Sequence, residues 1–136
     1  MANYKAAVLR FLDSKGIKYQ DEGAYRISVS YKCENIPSVK VAVVFDDDGD
    51  GLVALRSWSL GSVKDDKYAR VLMLCNDLND KYRWVKFYID KDQDICAALD
   101  AVIDINTCGA EVHQLLTRMV GICDGAYSEI MKAMWQ

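Results

Sequence analysis

The chain has 136 residues, of which 51% are hydrophobic and 27% charged, with a net charge of -3. That is the length of one domain, 1–136, able to bury a core without staples and too apolar for disorder. The 17 Lys and Arg are scattered and outnumbered by 20 Asp and Glu; this argues against nucleic acid and anionic membrane as partners, because binding phosphate needs clustered basic side chains.

The opening Met1-Ala2-Asn3-Tyr4-Lys5 lacks the basic stretch and apolar run of a signal peptide. Asn3 is placed to cap a first helix, in which Tyr4, Ala7, Val8, Phe11 and Leu12 recur at helical spacing and Gly16 closes the last turn. A short strand is expected over Ile17–Gln20. Tyr25, Ile27, Val29 and Tyr31 then alternate with Arg26, Ser28, Ser30 and Lys32, the pattern of a half-buried strand. Pro37, the only proline, marks a break. Val39, Val41, Val43 and Phe45 form the next strand, the turn Asp46–Gly51 follows, and Leu52–Leu60 reads as the return strand.

A second helix starts at Asp65 or Asp66, with Tyr68, Val71, Leu72, Cys75 and Leu78 as its apolar stripe. It ends near Asn79-Asp80. A second hairpin spans Arg83–Asp90 and Ile95–Ile103 about a turn at Lys91–Asp94. Asn106 or Thr107 caps the last helix, which carries Gly121 and Gly125 where a kink or a close neighbouring backbone is expected. Helices segregate from hairpins, so the fold class is α+β: an antiparallel sheet with helices packed on one side, in the order α-β-β-β-(β)-α-β-β-α. No apolar run approaches the roughly 20 residues of a membrane span.

The five cysteines are odd in number and form no Cys-x-x-Cys pair, and with a single histidine a zinc site has poor support; the cysteines are read as reduced thiols in a cytoplasm. Asp46, Asp48, Asp50 and Gly51 match positions 1, 3, 5 and 6 of a calcium loop, but Ser57 stands where the bidentate Glu is needed. A solvated hairpin turn is the expectation, with calcium as the alternative. Cys108 and His113, five residues apart at the start of the last helix, are expected to be an ordinary apolar thiol and a surface histidine; a reactive Cys108 is the sharper alternative. Asn76 and Asn79 are expected to have structural roles.

The segment from Cys75 to Ile103 reads Cys75-Asn76-Asp77-Leu78-Asn79, then Trp84-Val85-Lys86-Phe87-Tyr88-Ile89-Asp90, then Ile95-Cys96-Ala97-Ala98-Leu99-Asp100. An Asn-x-x-Asn at a helix end, a Lys-Phe-Tyr strand, an acidic turn and a return strand resemble the YbjN family of bacterial proteins, described as sensory transduction regulators. The element order resembles the type III secretion chaperone-like fold. The resemblance implies a compact α+β protein, often a homodimer, with no known reaction; secretion chaperones of this fold wrap extended partner segments.

In the strand 84–90, Lys86 and Asp90 belong in water, so Trp84 and Tyr88 are expected on the outer face with them. Arg56 shares a face with Trp58 and Leu60. Arg56, Trp58, Trp84, Lys86 and Tyr88 are therefore the candidate partner-binding residues, unless a third helix covers that face. No catalytic, cofactor-binding or metal-binding residue is assigned, and no cofactor is expected. The function read from the sequence is a non-catalytic, cytoplasmic, chaperone-like adaptor or regulator. It binds a protein or peptide through a sheet face or strand edge, with a small-ligand or ion-responsive regulator as the alternative.

Overall fold

The computed structural model describes residues 3–58 and 60–136; Met1, Ala2 and Ser59, the last inside the expected return strand, lie outside the described residues. Helix α1 spans Tyr4–Ser14. The Asn3 side chain accepts the Ala6 N–H at 2.9 Å, supplying one of the orphan donors of the first turn. Gly16, at φ 68°, ends the helix, and the Ile17 N–H reaches back to the Leu12 carbonyl at 3.0 Å.

Six strands follow: β1 (Gln20–Asp21), β2 (Arg26–Tyr31), β3 (Val39–Phe45), β4 (Leu52–Ser57), β5 (Lys86–Ile89) and β6 (Ile95–Val102). Helix α2 (Tyr68–Lys81), entered through a 3-10 turn over Asp65–Lys67, connects β4 to β5, and α3 (Cys108–Trp135) ends the chain. All neighbours pair antiparallel in the order β1-β2-β3-β4-β6-β5. The excursion through α2 carries β5 to the sheet edge, and the hairpin then inserts β6 beside β4.

Alternation puts Ile27, Val29, Val41, Val43, Val53, Leu55, Phe87 and Leu99 on one face, each at most 3% exposed. All three helices bury their apolar stripes against it, Val8 and Leu12 from α1, Val71, Cys75 and Leu78 from α2, and Leu116, Met119 and Ile130 from α3. The α1–α3 crossing is closest at Gly109, where an added Cβ would stand 2.3 Å from that of Phe11. Gly121 has open space and Gly125 meets the Tyr82 hydroxyl at 3.3 Å. The close approach thus falls at Gly109, and α3 runs unbroken through both other glycines.

Other details depart from the sequence expectation. The first strand is Gln20–Asp21 and not Ile17–Gln20. Leu72 is 50% and Tyr68 39% exposed, so the α2 stripe narrows to Val71, Cys75 and Leu78. The return strand stops at Ser57; Leu60 is buried at 1% while Trp58 is exposed, because the chain turns before Gly61 (φ 114°) and parity does not carry across a turn.

Candidate functional site

The second face of the sheet carries no helix. Its residues follow from the same alternation: Arg26, Ser28 and Ser30 on β2, Lys40, Ala42 and Val44 on β3, Leu52, Ala54 and Arg56 on β4, Lys86 and Tyr88 on β5, and Cys96, Ala98, Asp100 and Val102 on β6. Register brings Ala42, Arg56, Ala98 and Lys86 into one row. The small Ala42 and Ala98 flank the long Arg56, whose guanidinium can therefore lie low on the sheet. It donates to Asp100 at 2.7 Å and to the Leu55 carbonyl at 2.9 Å. The Asp100 carboxylate raises the guanidinium's pKa further, against the opposing effect of burial.

Leu52 lies opposite Val102, and these are 41% and 74% exposed. With Asp46, Ala54, Arg56 and Asp100 they line a shallow groove of about 560 Å³. Toward the other end, Trp58 is 44% exposed beneath the Arg26 guanidinium, 5.8 Å from its ring centroid. Glu22 accepts from Arg26 at 3.0 Å and pairs with Lys40 at 3.3 Å. Tyr88 is 41% exposed opposite Cys96. The Cys96 thiol donates to Asp90 at 3.4 Å, and burial followed by that carboxylate pushes its pKa up to about 11.

Four of the five candidates thus share the uncovered face: Arg56, Trp58, Lys86 and Tyr88. Trp84 does not join them. It sits at φ 66°, outside β5, so strand parity does not extend back to it. Its ring faces the Arg118 guanidinium of α3 at 4.9 Å, on the helix side.

The sheet edges offer less than the face. On β5, the Asn79 side chain of α2 accepts the Phe87 N–H at 2.7 Å and donates to the Phe87 carbonyl at 3.1 Å. Both backbone groups that an added strand would use at Phe87 are thereby taken. This is the role of the second Asn in the Asn-x-x-Asn motif: a helix side chain standing in for a neighbouring strand. The opposite edge, β1, is two residues long.

The chemical alternatives fare differently. Cys108 is 1% exposed, and burial raises its thiol pKa, the reverse of an activated thiolate. Cys75 and Cys123 are likewise pushed up, to about 11 and about 12, by desolvation. His113 packs its ring 6.0 Å from Phe11, and among the described residues no hydrogen bond joins it to a thiol or carboxylate. Asp46, Asp48 and Asp50 bring carboxylate oxygens within 4.8 Å of one another. Asp48 and Asp50, however, fold the turn, accepting the Asp50 N–H at 3.3 Å and the Leu52 N–H at 3.1 Å. Desolvation, then Asp50 and Asp46, hold the Asp48 carboxyl above the usual carboxylate range. Ser57, at the twelfth position, is fully buried.

Comparison with known proteins gives a consistent picture. A family model named YbjN, described as "Putative bacterial sensory transduction regulator", matches residues 5–131. No curated protein matches the chain. Among solved structures, YbjN from E. coli, described as a putative transcription regulator, is similar with a TM-score of 0.65 at 11% identity, covering 92% of each chain. A chain of the heterodimeric ExoU–SpcU complex from the type III secretion system of Pseudomonas aeruginosa is similar with a TM-score of 0.59 at 13% identity, covering 93% of this chain and 96% of that one. At such identities the likeness is one of fold: α+β, of the secretion-chaperone type. Among the described residues no helix is long and apolar enough to cross a membrane.

Proposed function

The chain belongs to the YbjN family, and we propose that it is a non-catalytic, cytoplasmic adaptor or regulator, acting as a homodimer, that holds a protein segment against its uncovered sheet face. One observation carries this reading. The face without helices displays Leu52, Trp58, Tyr88 and Val102 around the Arg56–Asp100 ion pair. Trp, Tyr and Arg are the side chains that dominate binding energy at protein interfaces. Lys86 lies in the Arg56 row and has no ion-pair partner among the described residues. It supplies a charge at the rim, where charges steer association more than they hold it. The ExoU–SpcU neighbour is a complex of two proteins, which supports a protein partner. Burial raises the pKa of the Cys75, Cys96, Cys108 and Cys123 thiols, the reverse of an activated nucleophile, which supports the non-catalytic reading.

Placement of a photo-crosslinking side chain tests this. At Val102 it is expected to trap a partner in extracts of the source cell, whereas at Gln114, exposed on α3, it traps none. Equal capture at both sites, or capture at Gln114 alone, would remove the sheet face from the account. The clustered carboxylates of Asp46, Asp48 and Asp50 are the observation that keeps an ion-responsive regulator as the second reading. Calcium titration followed by NMR separates the two: resonance shifts over 46–51 at sub-millimolar calcium favour the second, and their absence favours the first.

A further inference from the structure

At one end of the open face an apolar groove meets a concentration of negative charge. Leu52 and Val102 pair across β4 and β6, 41% and 74% exposed, and with Ala54 they give the groove of about 560 Å³ an apolar lining. The turn from β3 to β4 stands at the same end, since Leu52 is the first residue of β4. It carries Asp46, Asp47, Asp48 and Asp50, all exposed, and Asp46 itself lines the groove. Asp104, also exposed, lies two residues beyond Val102. Among the described residues none of these five carboxylates forms an ion pair. Arg56, the basic side chain lining the groove, already donates to Asp100 at 2.7 Å. Five carboxylates exceed the net charge of -3 on the whole chain, so the excess acid of the molecule is gathered at this end of the sheet. The crowding is felt inside the turn, where Asp50 and Asp46 add to desolvation in raising the Asp48 carboxyl.

Given the open face as the recognition surface proposed above, we infer that the protein segment it holds is basic and aliphatic. A Leu, Ile or Val side chain of that segment seats on Leu52 and Val102, and its Lys or Arg neighbours reach the carboxylates of the turn and of Asp104. The apolar contact supplies affinity, because both surfaces leave water. The charges at the rim steer the approach and select the partner, since an acidic segment brought to the same groove is repelled.

Selection from a random-peptide display library on the immobilised full chain tests this, at about 50 mM salt, where such attractions are weakly screened. The enriched peptides are expected to carry Lys or Arg beside Leu, Ile or Val. The Kd of a synthetic copy, read by fluorescence polarisation, is expected to rise at least about fivefold between about 50 and 500 mM salt. It is expected to rise at least about tenfold for Asp46→Lys combined with Asp47→Lys, a variant that keeps the Asp48 and Asp50 bonds folding the turn. Asp80→Lys, exposed on α2, is expected to leave Kd within about twofold, as screening removes a distant charge. Enriched peptides that are acidic or uncharged, a Kd unmoved by salt, or a library that yields no binder would each overturn the inference, and the salt series needs no variant to fold. Val102→Ser separates the partner's chemistry from the surface. Peptides without a basic excess that lose binding to this variant would overturn the chemistry alone. Peptides of any charge that bind it as tightly as the unaltered chain would remove the open face as well.

Discussion

The two faces of the sheet are made by the same strands, residue by residue in turn, and they have opposite chemistry. On the covered face Phe87, Leu55 and Leu99 are at most 2% exposed beneath three helices. On the open face Tyr88, one residue along from Phe87, is 41% exposed, and Val102 is 74% exposed. The covered face holds the molecule together, since a fully buried large apolar side chain is worth about 1.5–3 kcal/mol each. On the open face the large side chains Trp58, Tyr88, Leu52 and Val102 stay 41–74% exposed and so gain less from folding than their covered counterparts.

The comparison breaks first where packing is tightest. Phe87→Ala is expected to cost about 3–5 kcal/mol of unfolding free energy, measured by denaturant titration, through lost burial and the cavity left behind. Gly109→Ala sharpens the point. Alanine favours a helix by about 1 kcal/mol over glycine, yet a Cβ there meets that of Phe11 at 2.3 Å. The net expectation is a loss of about 1–3 kcal/mol as α1 is pushed off α3; a gain in stability would show that the crossing has slack. Asn79→Ala unpairs the Phe87 peptide at the sheet edge and is expected to cost about 1–2 kcal/mol, water replacing part of what is lost. With its edge block removed, this variant should also aggregate more readily on concentration, as light scattering would show.

A smaller effect depends on pH. Asp124 of α3 accepts the Asn35 and Ile36 N–H groups, each at 2.9 Å, and pins the loop before β3. The Ile36 N–H contributes most to holding its carboxyl below the usual range, followed among the donors by Asn35. Because the folded value is depressed, the stabilisation is present above the unfolded carboxylate value of about 4 and is lost as pH falls through the folded one. Thermal melts are therefore expected to show Asp124→Ala less stable at pH 7 and less sensitive to acid below about pH 4 than the wild type. An unchanged acid limb would mean that the contact carries no linkage.

Periodicity in the sequence placed most of this. Lys86 and Tyr88 read as outward on their strand and Arg56 as outward on its own, so most of the open face follows from alternation, while the fold class follows from the segregation of helices from hairpins. The same rule failed where the backbone left the strand. Trp84 adopts φ 66° and Leu60 lies beyond a turn, and in both cases parity was carried past the last residue to which it applies. Leu72 shows the converse, an apolar residue at helical spacing with no neighbouring element to cover it. Gly109 could not be told from Gly121 or Gly125, since the need for glycine comes from Phe11 on another helix. The reciprocal bonds of Asn79 were equally out of reach, because they join groups eight residues apart across a helix-to-strand turn.

The open face is tested most directly by pairing stability with binding in one variant, Leu52→Lys with Val102→Lys. Its unfolding free energy, measured beside that of Phe87→Ala, is predicted to stay within about 1 kcal/mol of the wild type, while crosslinking from a probe at Trp58 no longer traps the partner. A destabilisation as large as that of Phe87→Ala, or undiminished capture, would contradict the division of the sheet into a face for folding and a face for recognition.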